Sequence, residues 1–257
     1  MDVIHYNEKM LPIQDLETIG LAAGGQLLLN VDDLKALLSG RRTGLMQLQN
    51  LEAENIRIKS MDAKISLQAD ESGKLNLMIH PVYKKPTTPS FLDDNEARKL
   101  EKGEVGNYLK TTTDDKGNKK EILVEYDAET REFIVSDTEK ILAPDMVNLQ
   151  FLTAAQKENY RKGKEVTVAD KTTFSYSATD TQGIRANKLA LVASILIDGG
   201  LTYVVYKGLN MLFNQQRNDV DAGKLSPGYY HAVQDAENDG PRVPNQMSRS
   251  YTRSGSR

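Results

Sequence analysis

The sequence predicts an α+β protein. Repeated small modules, each a helix followed by antiparallel strands, lead into an apolar helical segment and a disordered tail. The first observation behind this is self-similarity. Phe91-Leu92-Asp93-Asp94-Asn95-Glu96 runs on to Lys102-Gly103, and Phe151-Leu152-Thr153-Ala154-Ala155-Gln156 runs on to Lys162-Gly163, with matching positions sixty residues apart. A fixed period of this kind marks repeated supersecondary units. The second observation is that apolar residues alternate behind each glycine, as strands require. The third is the strongly apolar stretch 189–213, followed by a polar terminus that ends in spaced arginines.

The first module is assigned to residues 1–85. Asn30 caps a helix over 31–39, Gly40 ends it, and Arg41-Arg42-Thr43 leads into strand-like Leu45, Met46 and Leu48. Ile56, Ile58, Met61, Ile65 and Leu67, then Leu75, Leu77 and Ile79, bracket the turn Asp70-Glu71-Ser72-Gly73. Pro81, Pro86 and Pro89 form a stiff polar connector. In the second module, 89–147, Asp93 and Glu96 have capping-box spacing, while Gly103 and Lys102 suit a helix C-terminus. Ile122, Val124 and Tyr126, then Phe133 and Val135, flank a hairpin turn at Asp127-Ala128-Glu129-Thr130. The loop 111–120 reads as a solvated hairpin tip, because it lacks the acidic spacing of a calcium loop. The third module, 148–187, repeats the plan with Thr153, Gln156 and Gly163, then Val166, Val168, Phe174, Tyr176 and Ala178.

Residues 188–216 are expected to be a helical hairpin turning at Asp198-Gly199-Gly200, or a single membrane helix. A surface apolar on every side cannot stay in water, so it must meet a partner, a second copy or a membrane. The residues expected to make that contact are Leu189, Leu191, Val192, Ile195, Leu196, Leu201, Val204, Val205, Leu209, Leu212 and Phe213. The hairpin is favoured, because a single span would put Asp198 near its centre at a cost of about 2.5–3.5 kcal/mol. Residues 217–257 read as a disordered, basic-ended tail.

Composition narrows the chemistry. The chain has no Cys, which excludes disulfides, thiolate metal sites and a cysteine nucleophile. A net charge of −3 excludes a generic nucleic-acid coat. The N-terminus lacks a basic stretch followed by an apolar run, which predicts a cytoplasmic protein, membrane-associated if 189–213 inserts. His5, His80 and His231 form no metal-binding motif, and His80 reads as a strand-end surface residue. Asp32-Asp33 and Asp93-Asp94 sit at helix starts, where capping explains them. No phosphate-binding glycine loop is present. The chain is therefore read as non-enzymatic, with no cofactor and no metal.

Several of these pieces together resemble a known family. They are Leu34-Lys35-Ala36-Leu37-Leu38-Ser39-Gly40-Arg41-Arg42-Thr43, Ile79-His80-Pro81, and Leu152-Thr153-Ala154-Ala155-Gln156-Lys157 running to Gly163-Lys164. They look like uncharacterised domains carried on conjugative and other mobile elements of Bacteroidetes, often in tandem within large proteins. The resemblance covers roughly residues 10–185, and its most specific piece is the Leu-Thr-x-x-Gln-Lys helix. It implies no activity. Together these readings predict an accessory or adaptor protein of a mobile element that acts through a protein partner or self-association. The alternatives are a membrane-anchored component and weak nucleic-acid binding. The latter would use Arg41, Arg42, Lys162 and Lys164, assisted by Arg242, Arg249, Arg253 and Arg257.

Overall fold

The computed structural model describes residues 6–53, 56–113, 117–187, 191–197 and 200–207. Within them the chain divides into two compact units. The first is drawn from Met1–Leu142, Asn159–Lys164 and Ser175–Arg185, the second from Ala143–Glu158, Glu165–Phe174 and Ala186–Arg257.

Ahead of Asn30, where the sequence reading assigns no element, lie α1 (Ile13–Thr18) and a small hairpin of β1 (Ala22–Ala23) and β2 (Gln26–Leu27). Gly24 and Gly25 both take positive φ between its strands, which only glycine does without cost. Then one plan appears three times. Helix α2 (Val31–Leu38) precedes β3 (Met46–Ala53), β4 (Ile56–Ala69) and β5 (Leu75–Pro81). Helix α3 (Asp94–Glu101) precedes β6 (Tyr108–Thr113), β7 (Lys119–Asp127) and β8 (Glu132–Asp137). After β9 (Met146–Val147) and β10 (Gln150–Phe151), helix α4 (Ala154–Arg161) precedes β11 (Val166–Thr167), β12 (Thr173–Tyr176) and β13 (Ile184–Ala186). Each set of three strands forms an antiparallel meander in chain order.

The helices start and stop by the same chemistry. The Asn30 side chain accepts from Asp33 N–H, Asp93 and Glu96 form a complete capping box, and Thr153 and Gln156 exchange reciprocal bonds of 2.9 and 3.2 Å. At the far ends Gly40, Gly103 and Gly163 sit at φ 66°, 67° and 66°. The next amide in each case, Arg41, Glu104 or Lys164, donates to the carbonyl five residues back, at 2.8, 2.9 and 2.9 Å. These are Schellman closures, and the shared geometry is what the sequence repeat encodes.

Helix α2 packs on β4 and α3 on β7. The second module's core joins Leu92, Ala97 and Leu100 to Ile122, Val124 and Phe133, with Tyr126 tilted against Phe133 at 5.1 Å between ring centres. The proline connector is not a free linker, because Tyr83 N–H donates to Thr130 C=O at 2.9 Å.

The apolar helical segment is corrected by the structure. Its described part is a strand hairpin, β14 (Leu191–Ile197) and β15 (Gly200–Lys207), paired from Leu191↔Lys207 to Ile197↔Gly200. Strand β14 also pairs with β9, giving a four-stranded sheet in the order β10-β9-β14-β15. Two apolar runs of strand length, rich in β-branched residues and separated by Asp-Gly-Gly, satisfy their backbone better by pairing than as short helices. Of the expected contact residues, Leu191 is fully buried. Val192, Ile195, Leu196, Leu201, Val204 and Val205 lie on the two strands, while Leu189, Leu209, Leu212 and Phe213 fall outside the described residues. Among the described residues no helix is long and apolar enough to cross a membrane. The expected tail, with Arg242, Arg249, Arg253 and Arg257, also lies outside them.

Candidate functional site

In the first unit, buried polar chemistry gathers where one module's central strand meets a turn belonging to another. Lys64 on β4 is 2% exposed, and its Nζ lies 2.8 Å from Asp127 Oδ2 and 2.8 Å from Glu129 Oε2. The Asp127 contact is an ion pair outside hydrogen-bond geometry, so that oxygen is held by charge alone. Around it, Arg42 Nη1 donates to Glu132 Oε2 at 2.5 Å, and His80 Nδ1 stands 3.6 Å from the same oxygen. His80 Nε2 shares a 2.8 Å hydrogen bond with Ser66 Oγ. Burial, with the Arg42 guanidinium adding to it, pushes the His80 imidazole down to about 4, so it is neutral at pH 7. His80 is therefore a partly buried joint residue and not the surface residue its place beside Pro81 suggested.

A second centre forms around Glu125 on β7, which is 1% exposed. Ser177 Oγ donates to its Oε1 at 3.0 Å and Ala178 N–H to its Oε2 at 2.5 Å, with Arg185 Nη2 at 4.0 Å. Burial outweighs these donors and pushes the carboxyl up to about 7. The same turn is held elsewhere: Arg41 Nε donates to Thr181 C=O at 3.1 Å, and Tyr160 Oη to Gly183 C=O at 2.8 Å.

The predicted nucleic-acid residues are distributed through this scaffold. Arg41 holds the 177–183 turn, Arg42 is paired with Glu132, and Lys162 Nζ is 2.8 Å from Glu121 Oε2. Lys164 is exposed just beyond the α4 closure. Three of these four are thus engaged by partners within the chain. Among the described residues no group of three or more His, Asp or Glu side chains is placed to hold a metal.

The second unit contributes a different feature. Strands β9 and β10 are joined through Asn148 and Leu149, both at positive φ, 47° and 65°. Asn148 tolerates that conformation and is buried, its Nδ2 donating to Asp170 Oδ2 at 2.9 Å. Leu149 has no such excuse, since a branched side chain in the left-handed region is strained. It is 45% exposed, and Phe151, on the edge strand β10, is 65% exposed.

The first module is the part of the chain that comparison with known families reaches. Residues 6–90 match the family described as Protein of unknown function (DUF4099). No curated protein and no solved structure matches the chain. The DUF4099 match spans α1 to β5 and the proline connector, so it includes Arg41, Arg42, Lys64, Ser66 and His80. The residues that meet them from the second module, Asp127, Glu129 and Glu132, lie beyond it.

Lys64, Glu125 and Ser177 were not among the residues singled out by sequence. A signal for the first two exists: each is a charge set directly between apolar or aromatic neighbours on its strand, Ala63-Lys64-Ile65 and Val124-Glu125-Tyr126. Where both faces of the middle strand are buried, as at 63–65 and 122–125, such a charge needs a partner from another module.

Proposed function

We propose that the protein is a non-enzymatic accessory or adaptor protein of a mobile genetic element, acting through a protein partner or a second copy of itself. The observation that carries this is the β9–β10 hairpin, where a strained Leu149 and an exposed Phe151 present apolar surface on a sheet edge. Stability alone would select Gly at Leu149 and a polar residue at Phe151. Strain kept at an exposed apolar position points to a surface retained for contact. The mobile-element setting rests on the resemblance of the helix segments, and the three-module build suits a scaffold that presents surfaces.

The test is affinity purification of the tagged full chain from its native host, beside a Leu149→Gly/Phe151→Ser variant. The wild type is expected to retain a stoichiometric partner, or itself, under gentle extraction. The variant should lose it while being as stable as wild type, or more stable by about 1 kcal/mol from relief of the backbone strain. Absence of any stoichiometric partner for the wild type, or undiminished recovery by the variant, would overturn the reading.

A further inference from the structure

The registers of the three meanders can be aligned on one pairing, the first residue of the first strand with its partner on the middle strand. These pairs are Met46↔Ala63, Tyr108↔Val124 and Val166↔Phe174. The next middle-strand positions are then equivalent: Lys64, Glu125 and Ser175. So are the positions two residues further on: Ser66, Asp127 and Ser177. Two buried contacts between modules fall on this alignment. Lys64 of the first module meets Asp127 of the second at 2.8 Å, and Glu125 of the second meets Ser177 of the third at 3.0 Å. We infer that consecutive modules dock by one repeated contact, in which a buried charge on the middle strand of one module is satisfied by the residue two positions past the equivalent site in the next, so that this pair of positions writes the order of the modules.

The chemistry explains why the pairs are matched. A charge 1–2% exposed must find an opposite charge or hydrogen-bond partners, or the joint cannot close. Lys64 has only donors to offer, so the following module supplies the carboxylate of Asp127, with Glu129 beside it. Glu125 as a carboxylate only accepts, so the following module supplies the Ser177 hydroxyl and the Ala178 amide. Exchanging the two following residues breaks both joints. Aspartate at 177 would set a carboxylate against Glu125, and serine at 127 would take from Lys64 the more deeply buried of its carboxylates. The third module carries uncharged, partly exposed Ser175 at this site, so the site presents no buried charge for a following module to satisfy. Ser66, at the equivalent position of the first module, shares its hydrogen bond with His80 of the same module at 2.8 Å.

Amide hydrogen exchange on the full chain tests this, because each joint closes a different turn. Asp127→Asn should speed exchange in the turn after β7 about tenfold or more and leave 178–183 as in wild type, while Ser177→Ala should do the reverse. Glu125→Lys should open 178–183, and adding Ser177→Asp, which copies the first joint onto the second, should restore most of the lost protection. Failure of that rescue, with the double variant no better protected than Glu125→Lys, would overturn the inference. Equal loosening of both turns by Asp127→Asn or Ser177→Ala would do the same, and those milder variants decide the matter even where Glu125→Lys does not fold.

Discussion

Buried Glu125 and partly buried His80 are titratable groups that pull stability in opposite directions over overlapping ranges of pH. The Glu125 carboxyl moves from an ordinary 4.5 to about 7 in the fold, chiefly through burial. Between those values the unfolded chain has given up a proton that the folded chain keeps, so this group's contribution is greatest at low pH and is lost as pH rises toward 7. His80 moves from 6.5 down to about 4. Its contribution is complete above about 6.5 and is lost as pH falls toward 4, because the unfolded chain takes up a proton the folded chain refuses. From about 4.5 to 6.5 the two slopes offset each other. Urea unfolding across this range should therefore show Glu125→Gln gaining stability relative to wild type as pH rises, by on the order of 3 kcal/mol in all. His80→Gln should lose stability relative to wild type as pH rises over its window. Curves for the two variants that run parallel to wild type would refute the assignment.

At the scale of elements, three helix ends share one closure but differ in what surrounds the glycine. A Cβ added at Gly103 meets nothing within 4 Å, so Gly103→Ala should cost only the left-handed backbone, about 1 kcal/mol. At Gly163 the same atom would lie 2.7 Å from Leu123 Cδ1 and 2.8 Å from Asn107 Nδ2. Leu123 is fully buried and Asn107 donates to Gly163 C=O at 3.0 Å, so neither yields easily. Gly163→Ala should therefore cost about 3 kcal/mol once overpacking is added, and equal losses in thermal unfolding for the two variants would contradict this packing. These helix ends were legible in the sequence because a capping box acts over three residues and a glycine closure over five. The joints were not, because Lys64 and Asp127, or Glu125 and Ser177, lie more than fifty residues apart and no local pattern links them. The strands β14 and β15 were misread for a different reason. An apolar run of seven or eight residues has no period to separate helix from strand, and the turn-forming Asp198-Gly199-Gly200 with its β-branched neighbours was the better guide.

For the molecule as a whole, the placement of its basic residues limits what it can do with nucleic acid. Of the four described candidates, Arg41, Arg42 and Lys162 each have a partner within the chain, and each of these contacts joins two modules. Moving Arg42 to a phosphate would strip Glu132, and moving Arg41 would release the 177–183 turn. Binding would therefore compete with the fold, and Lys164 alone could contribute without that cost. Each phosphate neutralised contributes about −0.9 to the slope of log affinity against log salt on duplex DNA. A chain lacking residues 241–257, and with them Arg242, Arg249, Arg253 and Arg257, should then show filter retention of DNA that is negligible, or that has a slope no steeper than about −1. Arg42→Gln should lower the unfolding temperature without changing retention, as expected of a residue that joins modules. A slope of about −3 or steeper in the truncated chain, abolished by Arg42→Gln, would mean that these cations leave their intramolecular partners for phosphate, and the adaptor reading would give way to a nucleic-acid one.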